Sequence, residues 1–150
     1  MSQKRVHWLG TACALIAAGC AAIMAPEPTL YQRLGGKPAI EAVVDDFLAR
    51  LVADARLTNA RVKNRLEAIH VPALKVHFFN QICEAAGGPC KYTGRDMKMA
   101  HVGLENTSRE FGIAVEDLVA TLDKFKVGER EKKELLAVLG PMKKDIVEKP

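Results

Sequence analysis

The chain has 150 residues, room for one domain, and is 49% hydrophobic but only 5% aromatic, so its core must be mainly aliphatic. A formal charge of +4 with no run of five basic residues excludes the usual nucleic-acid footprint. Serine occurs only at Ser2 and Ser108, and there is no glycine-rich phosphate loop or nucleophile elbow, which removes the common hydrolase and nucleotide-binding frameworks.

The first 20 residues read as an address. Lys4 and Arg5 precede an apolar stretch from Val6, which ends in Ala17-Ala18-Gly19-Cys20. A basic start, a short apolar run and small residues before a cleavage point make a secretory signal. The run is shorter than the usual membrane-spanning helix. The small residues before Cys20 resemble the bacterial lipobox, although Ala17 stands where leucine is more usual. The expectation is a signal over residues 1–19, a lipidated Cys20 that anchors the chain to a membrane, and a tether over residues 20–28 containing Pro26 and Pro28. A plain cleaved signal and an uncleaved membrane anchor are the alternatives. By the same resemblance, Ala21 after the cysteine favours outer-membrane sorting, with the domain of residues 29–150 in the periplasm.

That domain reads as all-α, with no alternating strand pattern and no repeat. Thr29 is placed as the cap of a short turn over residues 30–34, stopped by Gly35-Gly36. Pro38 lies near the start of a helix whose stripe is Ile40, Val43, Val44, Phe47, Leu48 and Leu51. Residues 54–70 are ambiguous, mixing Leu57, Val62, Leu66 and Ile69 with Arg, Lys and Asn. Pro72 opens a strong helix through residue 86, carrying Leu74, Phe78 and Ile82 on one face and closed by Gly87-Gly88-Pro89. A short helix is expected over residues 97–105 and another over residues 115–125, with Leu118, Leu122 and Phe125 in phase. The final helix runs over residues 129–147, with Leu135, Leu136, Val138 and Leu139 inward and a kink or break at Pro141.

Cys83 and Cys90 flank the glycine pair. In an exported chain they either form a bridge or remain two buried or idle thiols. No Cys-x-x-Cys-His occurs, so c-type covalent haem attachment is excluded, and no second cysteine pair stands at zinc spacing.

Three histidines follow the signal: His70, His77 and His101. Met97, His101 and Leu104 share one helix face at i, i+4, i+7. An imidazole on an apolar helix face is either a core histidine with a satisfied hydrogen bond or a neutral axial ligand for haem iron. Spacing alone leaves both readings open. His70, just before Pro72, reads as a surface residue. Gln81 shares the Leu74 face.

The stretches "LYQRLGG" from residue 30 and "GGPCKYTGRDMKMAH" ending at residue 101 resemble the opening helix, the second glycine pair, the loop and the proximal histidine of the group I truncated globins. The likeness covers nearly all of the chain after the signal. It implies the two-over-two helical globin fold, non-covalent haem b (iron protoporphyrin IX) with His101 on the iron and Met97 on the same wall, and uptake of O₂, NO or CO. It puts Tyr92 and Arg95 near the haem edge. Arg95 is then either a propionate partner or a solvated cation.

The departures from that family bear on function. Its distal tyrosine matches Leu48, its common distal glutamine matches Leu74, and the pocket position one turn on is Phe78. The usual hydrogen-bond donors to a bound gas are thus absent. His77 is, by the resemblance, a second iron ligand, a propionate contact or a solvated residue. No phenylalanine lies between Leu48 and His77, so Val62 or a neighbour must take the place of the family's wedge. The resulting expectation is a lipid-anchored haem globin partnered by gases and an electron donor, with NO-detoxifying redox activity open. The alternative is a haem-free globin-fold interaction module tethered to the membrane.

Overall fold

The computed structural model describes residues 26–150. The expected signal, the lipobox and Cys20 lie outside the described residues. Eight helices cover most of the described chain. They are α1 Leu30–Arg33, α2 Gly36–Ala53, α3 Ala60–Ala68, α4 Val71–Ala85, α5 Met97–His101, α6 Ser108–Lys124, α7 Glu129–Leu139 and α8 Lys143–Ile146, with a 3₁₀ turn Gly140–Met142 between the last two. Among the described residues there is no strand, only one isolated parallel bridge between Thr107 and Lys149.

The helices start where the sequence offers caps. The Thr29 and Gln32 side chains exchange bonds with each other's backbone N–H, forming a capping box at α1. Asn59 accepts from Arg61 N and Val62 N and so resolves the ambiguous 54–70 segment into a loop followed by α3. Pro141 ends α7, as its missing donor requires, and the chain turns before α8.

α2 is the centre of the fold. It packs against α4 on one side and α6 on the other. Ile40, Val43, Val44, Phe47 and Leu48 of α2 are all buried and meet Phe79, Ile82 and Cys83 of α4, Leu118 and Leu122 of α6 and Leu135 of α7 in one cluster. Each such aliphatic side chain contributes about 1.5–3 kcal/mol on burial, and the sparse aromatics leave this aliphatic cluster as the main cohesive term. Arg33 ties α1 to α7: its Nε donates to Glu131 Oε1 at 3.0 Å and its Nη2 to Glu134.

Four sequence expectations change. The short helix stops at His101, not residue 105, because Gly103 takes φ 77° and Glu105 φ 56°, left-handed conformations that no α-helix continues. α6 begins at Ser108, not residue 115, because Thr107 and Glu110 form a second capping box. Phe125 is 40% and Val138 37% exposed, so neither faces the core: Phe125 is the C-cap of α6, and Leu135 rather than Val138 points α7 inward.

Candidate functional site

The geometry around the two candidate histidines begins with α5. Asp96 caps this helix by accepting from Met99 N at 2.8 Å. That places Met97 and His101 one turn apart. His101 Nδ1 lies 2.8 Å from the Met97 carbonyl oxygen. A carbonyl only accepts, so Nδ1 carries the proton and, in the neutral ring, Nε2 holds a free lone pair. His101 is half-buried.

α4 faces this helix with a different set of groups. His77, Gln81 and Glu84 stand at i, i+4, i+7 and share a face. Gln81 Nε2 donates to Met97 Sδ and to Met142 Sδ, each at 3.3 Å, so one amide joins α4, α5 and the turn before α8. His77 Nδ1 is buried without a hydrogen-bond partner. Its ring meets that of Tyr92 edge-on, with centroids 6.1 Å apart. The Tyr92 hydroxyl donates to the Arg95 carbonyl oxygen at 2.6 Å, and burial, with the nearby Asp96 charge, pushes the phenol above its ordinary pKa. The Arg95 side chain is exposed and has no carboxylate partner among the described residues.

Leu48 is 5% exposed and sits inside the core cluster, against which Leu74 and Phe78 pack in part. The Phe78 ring lies 5.9 Å from that of Phe47, tilted by 57°. Leu48, Leu74 and Phe78 are therefore brought together as an apolar wall. On α3 no residue is buried, and Val62, Leu66 and Ile69 are half-buried. The core built on α2, α4, α6 and α7 is closed, whereas α3 and α5 carry no buried residue and Leu74, His77, Phe78 and Gln81 of α4 are half-buried.

The loop between α4 and α5 is fastened to α4. Cys83 and Cys90 are bridged, with Cα atoms 5.7 Å apart, which decides between the two readings of these residues. Glu84 accepts from Tyr92 N at 2.9 Å and pairs with Lys91 Nζ at 2.9 Å. Both contacts hold its carboxyl below the ordinary range. A Cβ on Gly88 would meet Cys83 Sγ at 2.6 Å and Tyr31 Cδ2 at 2.6 Å, so only glycine permits this close approach. Sequence reasoning missed Glu84 and Met142. The spacing of Glu84 from His77 was a usable signal, whereas nothing local announces that Met142 returns to Gln81.

Residues 29–148 match the family model described as bacterial-like globin. The chain belongs to the bacterial-like globin family. Within it, this globin is similar to the group 1 truncated hemoglobins. That of Mycolicibacterium paratuberculosis is 31% identical over 118 residues, covering 79% of this chain and 83% of the relative. That of Synechocystis sp. is 35% identical over 116 residues, covering 75% and 90%. The solved ferric truncated hemoglobin of Tetrahymena pyriformis aligns with a TM-score of 0.72 at 28% identity, over 80% of this chain and 98% of that one. The 2/2 hemoglobin of Synechococcus sp., solved in the cyanomet state with covalently attached heme, aligns with a TM-score of 0.71 at 26% identity, over 80% and 98%. The globin fold here is the truncated, two-over-two form. Its all-helical class and helix order agree with the sequence expectation.

Proposed function

We propose that this globin binds haem b non-covalently, with His101 Nε2 as the proximal ligand, and takes up diatomic gases on an apolar distal side. The observation that carries the reading is the His101 Nδ1–Met97 carbonyl bond. It fixes the tautomer and aims the lone pair of Nε2 away from its own helix, as a metal-bound imidazole requires. The half-covered faces of α3, α4 and α5 supply the apolar lining that a porphyrin needs. Haem supplies the iron that takes the gas and exchanges the electron. The residues present fit that group: one free imidazole nitrogen, the apolar wall of Leu48, Leu74 and Phe78, Met97 beside His101, and the Arg95 cation for a propionate.

His77 has one buried ring nitrogen lacking a partner, whereas Gln81 on the same helix face is engaged with Met97 and Met142. His77 serves either as a second axial ligand or as a donor to the bound gas. An apolar distal wall favours CO and NO over stable O₂ storage, because those ligands depend less on a hydrogen-bond donor. NO-detoxifying turnover would need an electron donor. The basic start, apolar run and Ala17–Cys20 stretch support export and lipid anchoring at the periplasmic face of the outer membrane. The Cys83–Cys90 bridge supports an oxidising compartment.

The test is a haemin titration followed by visible spectra of the ferric and reduced protein, for wild type, His101→Ala and His77→Ala. A Soret band that weakens or shifts in His101→Ala is expected. Sharp visible peaks in the reduced protein that vanish in His77→Ala would assign His77 to the sixth position. A folded, helical protein that takes up no haemin would instead favour a tethered interaction module, the reading motivated by the missing wedge phenylalanine and by an α3 with no buried side chain.

A further inference from the structure

The orientation of His77 is not fixed by any hydrogen bond at Nδ1, which is buried and unpartnered. What does touch the ring is Tyr92, edge-on at 6.1 Å. Tyr92 lies in the loop between α4 and α5, and two fastenings hold it there. One is Glu84, which accepts from the Tyr92 amide at 2.9 Å and pairs with Lys91. The other is the Cys83–Cys90 bridge, two residues before Tyr92. The Tyr92 hydroxyl then donates to the Arg95 carbonyl and closes the loop on itself.

We infer that Tyr92 is a positioning residue for His77 and that the Cys83–Cys90 bridge is the redox-labile clasp that keeps it in place. Cys83 is fully buried, whereas Cys90 is half-buried at the loop. A dithiol reductant therefore attacks Cys90 Sγ and releases Cys83. The second thiol of the reductant then frees Cys90. In total the Sγ–Sγ bond gains two electrons and two protons, and the reductant closes to its own disulfide. With the bridge open, Glu84 alone holds the Tyr92 backbone through exposed contacts, and exposed pairs of this kind are weak. Tyr92 then leaves the edge of His77, and the imidazole gains rotamers. Any effect on a haem iron rests on the function proposed above, but the clasp itself does not.

The experiment follows hydrogen exchange at the Tyr92 amide and the His77 ring-proton resonances in the haem-free protein, before and after a dithiol reductant. Wild type is compared with Cys90→Ser, Tyr92→Leu and Tyr92→Phe. Reduction should lower Tyr92 amide protection about tenfold or more and move the His77 resonances. Cys90→Ser should resemble the reduced protein and ignore the reductant. Tyr92→Leu should move the His77 resonances with the bridge intact, and Tyr92→Phe, which keeps the ring edge, should restore them. Equal protection and equal His77 resonances in both redox states of the wild type would overturn the inference, and that comparison needs no variant to fold. In the haemin-loaded protein, a Soret position that differs between wild type and Cys90→Ser is expected. Absence of any Soret band would defeat the haem reading while leaving the haem-free comparison to decide the clasp.

Discussion

By the resemblance Leu48 matches the family's distal tyrosine, and it is 5% exposed, on the apolar wall it shares with Leu74 and Phe78. Restoring a donor there is a direct test of the apolar distal side. Leu48→Tyr should slow O₂ dissociation by about tenfold to a hundredfold, the equivalent of about 1.5–3 kcal/mol for a charge-assisted hydrogen bond. The added ring should cost about 1–3 kcal/mol of stability through overpacking, and both effects can be read by stopped-flow and urea unfolding. Asp117 poses the opposite problem. It is 8% exposed, its Oδ2 has no partner, and Arg56 Nη2 lies 3.9 Å from its Oδ1. Burial, with the neighbouring Asp54 charge, raises its pKa. A raised carboxyl pKa means the folded state holds the proton more tightly than the unfolded state. Ionisation then costs stability as pH rises through the two values. Asp117→Asn should increase urea resistance at pH 7 and leave it little changed at pH 3.

The capping boxes set the boundaries of the elements. Thr107→Ala removes the acceptor for Glu110 N at 3.1 Å and should destabilise the protein by about 1 kcal/mol, measurable by urea unfolding. That box is written in the sequence as Thr107-x-x-Glu110, but Gly112 breaks the apolar period before Val115, so periodicity alone places the start too late. The stripes of α2 and α4 were legible because apolar residues repeat in phase, six from Ile40 to Leu51 and three from Leu74 to Ile82. Phe125 and Val138 fall at helix ends, the first as the C-cap of α6 and the second one residue before the last of α7, and both are exposed. His101 and His77 could be found from spacing and from resemblance. Which nitrogen each ring offers could not, because that depends on the Met97 carbonyl within α5 and on Tyr92 arriving from a loop. Met142 entered the site the same way, through a tertiary approach to Gln81 that no local pattern encodes, whereas the i, i+7 spacing of Glu84 from His77 was there to be read.

At the scale of the molecule, Asp46 joins α2 to α6. It pairs with Arg50 on its own helix at 2.9 Å and with Lys124 across the interface, and accepts from Thr121 at 3.0 Å. Lys124 first, then Arg50, hold its pKa at about 2, below the ordinary carboxylate range of about 3.9. A lowered pKa contributes stability that is present above the ordinary value and is lost as pH falls through about 2. Asp46→Asn should therefore lower stability at pH 7 and flatten its acid dependence between about pH 5 and 2, as urea titrations at each pH would show. A second seam runs through residues 146–149. Glu148 accepts from Gly103 N at 2.8 Å and Glu105 N at 2.6 Å. Asn106 donates to the Ile146 carbonyl at 3.3 Å, and Lys149 N donates to the Asn106 carbonyl at 3.0 Å. Removing residues 147–150 should raise amide exchange across α5. The seam also orders events in the life of the chain. The turn that closes α5 after His101 acquires its partners only when the ribosome has added residues some 45 positions further on. The helix that carries His101 is thus among the last parts to settle, and under the function proposed above a chain exported in extended form would take up its haem only on the far side of the membrane.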